Sequence, residues 1–570
     1  MAGRLGDQPI IILKDTERMQ GRDAQSMNIH TAKTVAGLIR STLGPKGMDK
    51  MLVDSIGDVY ISNDGASILD DIETEHPTAK MIIEVAHTQE DEAGDGTTSA
   101  VVFAGELLKK AEELLAQKIH ATTIVKGYKI ASKKAQELLD NMAISVKTED
   151  GKAKQSVDLS EGKVGEPKAI SELLKKIAIT ALASKGIGSN PKLAEKCVKA
   201  VKAIEDNGRI NVEENIMLLK KRGKSVDETE FVNGLVIDKM RVSINQPRKI
   251  KKAKIALFDQ EIQARQTKGD AKYKIRSSKQ MQLFAEEEKR LMKQTVERIA
   301  STGANVVFST KNIDDNILDY FNQINILGIR RTKEEDLKKL ARATGASIVS
   351  NPEKLEESDL GYAGIVEERG VGNYKMFYIE ECENPKSVTL VLHGPSEYIL
   401  ENLEGSVNDA LHVIGDVIED GKIIAGGGAP EIEVGLRLRE YASTLSGREQ
   451  LAVQAFADAI EIIPYSLAEN SGLDPIDSLV DLRSKHKQGH KNSGLNLDSG
   501  DVVDMIENGI VEPLRVKKQM MKSATEAADM LLRIDDIFAA RRMSMEEKYG
   551  GKGYHMRDYD WAPHPKIDED

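Results

Sequence analysis

Apolar and polar positions follow three textures along this chain. From Thr97 the run TTSAVVFAGELLKKAEELLAQKI sets Val101, Val102, Leu107, Leu108, Leu114 and Leu115 on one stripe with charged residues between them. That period predicts an amphipathic helix, and residues 25–143 read as mostly helical. Between Met48 and Leu69 the pattern shortens to β-like pieces, MLVD and DVYIS, which predict a hairpin carrying the Asn63-Asp64-Gly65 turn at its end. Residues 146–168 hold only scattered Val and Leu among Lys, Glu, Gly and Ser, as a solvated linker does. Helical periodicity then returns from Ala169 to Ile204.

From Gly223 the texture becomes α/β. Short apolar runs at 254–258, 305–309, 326–329 and 346–349 alternate with helical stretches at 279–300, 312–323 and 333–344. Strands spaced by helices predict crossover units and a largely parallel sheet. The segment 259–290 between them is too polar to be core. From Ser406 helical patterning resumes, and the end of the chain, GGKGYHMRDYDWAPHPKIDED, reads as a disordered tail. Helical, then α/β, then helical texture predicts an inserted domain, with both chain ends in the helical one.

Composition narrows the class. With 570 residues, two to four domains are expected. Aromatics are only 4 %, so aliphatic side chains must build the core. A net charge of -12 argues against a general nucleic-acid binder, which needs a basic face. Two cysteines, Cys197 and Cys382, cannot make a disulfide framework or a zinc site alone and suggest a reducing compartment. The N-terminus lacks the long apolar region of a secretory signal, and no stretch approaches the ~20 apolar residues that span a bilayer. A soluble intracellular protein is expected.

Candidate chemistry sits at glycine-rich turns. Gly94-Asp95-Gly96-Thr97-Thr98-Ser99 precedes the long helix. A helix start offers free N–H groups and a positive dipole end to a phosphate, the glycines permit close approach, the three hydroxyls add donors, and Asp95 is a hard oxygen ligand for Mg²⁺. The same residues could merely cap the helix. Thr42-Leu43-Gly44-Pro45-Lys46-Gly47 reads alone as a helix end followed by proline, and Gly426-Gly427-Gly428 as a hinge or another close approach. No GxxxxGK[ST] run is present, which excludes a P-loop. Asp64 and Asp409 are candidate hydrolytic carboxylates; Asp409, among apolar neighbours in SVNDALHVIGDV, could orient or deprotonate a water, or be an ordinary helix acid. His486 and His490 stand four apart in SKHKQGHKN, a stretch that reads as solvated surface rather than a metal site.

Together these segments resemble the group II chaperonins. The matching runs are STLGPKGMDKMLVD (41–54), NDGASIL (63–69), AGDGTTSAVV (93–102), GGGAPEIE (426–433), GREQLAVQAFADAIEIIP (447–464), GLN (494–496) and NGIVEPLRVK (508–517), in matching order over 18–540. The resemblance implies a multidomain α+β fold: an all-α equatorial domain from both chain ends (1–150 and 419–540), a small α/β intermediate hinge domain (151–222 and 373–418), and an inserted α/β apical domain (223–372). A helical protrusion at 259–290 would form a built-in lid, and 541–570 a disordered tail.

The resemblance also implies an ATP-driven chaperone that encloses unfolded proteins in a cytoplasmic double ring of identical or paralogous subunits, with a prefoldin-like co-chaperone among its partners and neither nucleic acid nor membrane. By that resemblance Thr42, Leu43, Gly44 and Pro45, with Gly94, Asp95, Gly96, Thr97, Thr98 and Ser99, hold the phosphates of ATP and Mg²⁺, with Asp95 the metal ligand. Gly427, Asn496 and Glu512 contact the rest of the nucleotide, Lys185 approaches the terminal phosphate, and Asp64 and Asp409 serve hydrolysis. Gly405 stands where the family often has arginine, which leaves open a subunit that binds ATP and hardly hydrolyses it. The linker at 146–168 and the tail without Gly-Met repeats also depart from the pattern.

Overall fold

The computed structural model describes residues 3–5, 8–10 and 16–540, except 54–56, 58, 73, 75, 147–166, 186–189, 207, 264–277, 372–373 and 383–386. Residues 147–166 of the expected linker, most of the polar insertion before Ser278 and the 541–570 tail therefore lie outside the described residues, while Val146 is buried and Pro167 opens a helix.

The largest apolar cluster joins both halves of the chain. Helices Arg22–Ile39, Pro77–Ala93, Thr97–Ala116 and Ala121–Met142 pack with Ala429–Ala442, Glu449–Ala459 and Leu514–Leu532. In the helix Ala121–Met142, Ile124, Tyr128, Ala131, Ala135 and Leu139 fall on one buried face. Phe456 sits at the centre, edge-on to Phe103 at 5.3 Å and to Tyr128 at 5.9 Å, and the Tyr128 hydroxyl donates to the Leu107 carbonyl at 2.7 Å. Small residues let these helices approach closely enough for such contacts. The strands Thr16–Gln20 and Asp536–Ala540 pair antiparallel and tie the two halves of the chain together.

The run Glu449–Asn470 has the length and apolarity of a membrane span, contrary to the reading of the sequence. Its apolarity has another cause: the most apolar 18 residues of that run are 72 % buried within the fold.

A second cluster is built on helices Pro167–Ser184, Pro191–Ile204 and Glu397–Asp420. They cover a three-stranded sheet in which Val388–Gly394 lies parallel to Ile216–Arg222 and antiparallel to Glu230–Val232.

The α/β region forms a seven-stranded sheet, and it is mixed rather than largely parallel. Lys249–Phe258, Val306–Ser309 and Leu327–Ile329 run parallel, with Ile348–Val349 also parallel to the first. Gly361–Val371, Tyr374–Glu380 and Gly234–Ile237 continue it antiparallel. The hairpin 361–380 escaped the pattern because Glu367 and Arg369 interrupt its apolar run, and they are satisfied as ion pairs: Arg369 meets Glu367 at 3.1 Å and also Glu380 across the hairpin. Along Lys249–Phe258, Ile255 and Leu257 face one core with Leu337 and Leu340, while Ala256 and Phe258 face another with Val296 and Phe321. Both faces are covered, as the strand's continuous burial requires.

The site is positioned by two short features. Lys50–Val53 and Val59–Ser62 form the expected hairpin, but Asn63-Asp64-Gly65 starts a helix, Gly65–Asp70, instead of closing a turn. Elsewhere Lys422–Ala425 pairs with Val511–Pro513 and Ile144–Ser145, setting Glu512 opposite Ile424 just before the three glycines.

Candidate functional site

A cavity of about 450 Å³ opens between these elements. Its lining includes Thr42–Pro45, Asp95–Ser99, Lys185, Gly427, Asn496 and Glu512, six separate stretches of the chain. Gly94 lies just outside this lining. At Gly94 φ is +61° and a Cβ would run into the side chain of His412, so only glycine fits where the helix Pro77–Ala93 ends.

The next helix, Thr97–Ala116, starts at Gly96 with no side-chain cap. Neither Asp95 nor Thr97 caps it: Asp95 Oδ1 accepts from the Gly96 N–H at 2.6 Å, and Thr97 is buried with no partner for Oγ1 among the described residues. A buried hydroxyl without a partner is costly in a folded protein, and it points here to a ligand that completes it. Uncapped N–H groups, a positive dipole end and a partnerless hydroxyl facing one cavity suit a phosphate. Among the described residues no three His, Cys, Asp or Glu side chains gather into a metal site, so a cation here would rest on Asp95 and on the ligand's own oxygens.

Lys185 also lines the cavity, and it sits between two carboxylates, Asp64 and Asp409, that lie outside the lining itself. Its ammonium is bonded to Asp64 and lies 2.9 Å from Asp409 Oδ2, with Lys185 and Asp409 side chains each 9 % exposed. Asp64 also caps the short helix, accepting from the Ser67 N–H and hydroxyl at 2.9 Å each. Burial raises the Asp64 carboxyl, but the charge and hydrogen bond of Lys185, with the Ser67 donors, outweigh it and bring Asp64 down to about 2. Asp409 goes the other way. Burial, supported by the neighbouring Asp64 and Asp95, pushes it up to about 8 against the pull of Lys185. Burial opposes the ammonium of Lys185, yet Asp409, Asp64 and Asp95 raise it well above the ordinary lysine range. Two carboxylates with pKa values pushed apart around one cation are an acid–base arrangement.

The third wall comes from the C-terminal half. Gly427, at φ +63°, leaves no room for a side chain: a Cβ would lie 2.7 Å from Met505 Sδ and 3.0 Å from the Leu495 carbonyl. The Leu495 N–H donates to the Gly427 carbonyl at 2.9 Å, laying the strand Ser493–Leu495 against the glycine loop. Asn496 follows, its Oδ1 accepting from the Asp498 N–H at 3.0 Å. Glu512 borders the cavity and meets the buried Lys517 at 2.7 Å, while Lys517 reaches Glu431 at 2.9 Å. Burial raises Glu512 despite Lys517.

Comparison with known proteins decides the family. The family model of the TCP-1/cpn60 chaperonin family matches residues 35–542. The chain belongs to that family. The chaperonin is 51 % identical to a thermosome subunit of Methanopyrus kandleri over 543 residues, 95 % of this chain and 96 % of the relative. It is 49 % identical to the thermosome subunit beta of Archaeoglobus fulgidus over 554 residues (96 % and 98 %), and 48 % to that organism's subunit alpha over 545 residues (95 % and 96 %). It is a group II chaperonin subunit, a protein-folding chaperone.

Three features of the chaperonin's site escaped the sequence reading. Gln89, fully buried, donates from Nε2 to the carbonyls of Asp95 at 2.7 Å and Val516 at 3.3 Å, holding the glycine turn to the last helix. It was detectable as a polar residue in line with Ile82, Val85, Ala86 and Ala93. Lys517 was visible only as part of a motif. His486 requires a correction: it is not solvated surface but fully buried, with Nδ1 2.8 Å from Glu433 and Nε2 2.7 Å from the Ser493 carbonyl. Its partner lies 53 positions away, so the basic residues around it concealed an inward-facing position. Gly405 lies on an open face of Glu397–Asp420, where a Cβ would meet nothing; beside it Glu404 pairs with Lys220 at 2.8 Å.

Proposed function

We propose that this chaperonin subunit hydrolyses ATP in the cavity described above and uses the reaction to drive protein folding. The observation that carries the reading is Lys185, held between Asp64 and Asp409 at the edge of a phosphate-sized cradle. Thr42–Pro45 and the uncapped start of Thr97–Ala116 would hold the phosphates, with Thr97 Oγ1 gaining the partner it lacks. Gly427, Asn496 and Glu512 would border the ribose and base. Asp95 would hold Mg²⁺, whose chemistry in such sites is to neutralise charge on the phosphate oxygens.

In the resting arrangement Asp409 is occupied by Lys185. A terminal phosphate entering the cradle offers Lys185 a stronger anionic partner and frees Asp409. Asp409 can then take a proton from a water as the water's oxygen attacks the terminal phosphorus, and the diphosphate departs. Asp64 stays ionised and keeps Lys185 charged. Lys185 follows the helix Pro167–Ser184 of the second cluster, whereas the cradle belongs to helices of the first. The same lysine therefore couples occupancy of the site to movement of one cluster against the other.

The first cluster and its two chain ends correspond in this reading to an equatorial domain, the second to a hinge, and the mixed sheet to an apical domain that receives clients. The subunits would assemble in a cytoplasmic double ring of like or paralogous chains, and unfolded proteins would be captured through exposed apolar surface. The test is refolding of a chemically denatured client protein by the purified chain. Recovery should require MgATP and fail with MgADP; recovery that does not depend on nucleotide contradicts the reading.

A further inference from the structure

The helix Pro475–Lys487 buries only two side chains, Leu482 and His486. His486 lies between two acceptors from different parts of the chain. Nδ1 faces Glu433 Oε2 at 2.8 Å, and Nε2 faces the Ser493 carbonyl at 2.7 Å. A neutral imidazole has one N–H and can donate to one of them; a doubly protonated ring donates to both. Glu433 is a strong acceptor for Nδ1. Burial raises it, but hydrogen bonds from His486 and from Arg437, whose Nε lies 2.9 Å from Oε1, hold it below the ordinary range.

Both acceptors lead directly to the cavity. Glu433 is on Ala429–Ala442, the helix that begins immediately after Gly428. Ser493 opens the strand that carries Leu495 and leads into Asn496. That strand rests on the glycine loop so closely that a Cβ at Gly494 would lie 2.8 Å from the Gly426 carbonyl and 2.9 Å from that of Gly427. The spacing between Gly427 and Asn496 therefore depends on how strand and helix are held together behind them, and His486 is the buried polar group that joins the two.

We propose that His486 is a positioning residue for the nucleoside side of the cavity: it sets the wall formed by Gly427, Leu495 and Asn496 and leaves the phosphate cradle untouched. This rests on the reading of the cavity as a nucleotide site. The test is calorimetric titration of MgADP and of magnesium tripolyphosphate into the full chain, with ATPase KM and kcat, for wild type, His486→Phe, the milder His486→Gln, and Glu433→Gln. Both His486 variants should weaken MgADP and raise KM for ATP about tenfold or more, with tripolyphosphate binding within twofold and kcat within threefold of wild type. Glu433→Gln should stay near wild type, because the glutamine amide can donate to Nδ1 while Nε2 still donates to Ser493. If His486→Phe fails to fold, His486→Gln carries the comparison. Equal loss of both ligands, or loss of neither, overturns the positioning role. A wild type that binds neither ligand overturns the nucleotide reading and this proposal with it.

Discussion

Lys185 Nζ lies 2.9 Å from Asp409 Oδ2 while also bonded to Asp64, so a single buried cation holds together two acids that are 345 positions apart in the chain (409 minus 64). Removing Lys185 from such a buried set leaves an uncompensated carboxylate, which typically costs about 3–5 kcal/mol. The trio is therefore stable only while its charges balance, and an incoming phosphate that draws Lys185 away alters that balance.

The pH profile should expose Asp409. With the carboxyl pushed up to about 8, it is mostly protonated at neutral pH and becomes a competent base as pH rises. The value of kcat/KM for ATP should climb about tenfold per pH unit below an inflection near 8, since this parameter reports the free enzyme. Asp64→Asn should move the inflection to lower pH, because Asp64 is one of the charges raising Asp409 and its loss leaves Lys185 to Asp409 alone. An inflection that stays in place contradicts the coupling.

Thr97→Val tests the cradle with little change of shape. Among the described residues the hydroxyl has no partner, so its removal should leave the melting temperature unchanged or slightly higher. Affinity for MgADP should nevertheless fall by about tenfold, the worth of one hydrogen bond to a charged group. Calorimetry beside a thermal melt reads both quantities.

Gly94→Ala should do the reverse and damage the fold as well as the site. A side chain there is forced into left-handed backbone and against His412. Strain of this kind costs about 1–3 kcal/mol, visible as a lowered denaturation midpoint. The equivalent change at Gly405, where a Cβ meets open space, should be neutral or mildly stabilising in its helix.

Much of this was legible from residues alone, for identifiable reasons. The strands around Ile255, Val306 and Leu327 and the helices between them were visible because each is a continuous apolar or amphipathic run. The hairpin 361–380 was hidden because its charged residues are neutralised by one another. His486 looked solvated because its neighbours are Lys485 and Lys487, whereas burial depends on the helix face it occupies, which Leu482 one turn earlier shares. Gly94–Ser99 could be a cap or a cradle until the helix was seen to start uncapped with a partnerless Thr97. The trio of Lys185, Asp64 and Asp409 depends on the meeting of distant segments, which no local pattern encodes.

The most direct test of the account is steady-state hydrolysis of MgATP by the purified chain beside Asp409→Ala, with MgADP affinity measured for both. Wild type should turn over, and the variant should lose about 10²–10⁴-fold in kcat, the usual worth of a general base, while binding MgADP within a few-fold of wild type. A wild type that hydrolyses ATP no faster than Asp409→Ala would contradict the assignment of this cavity as a catalytic site.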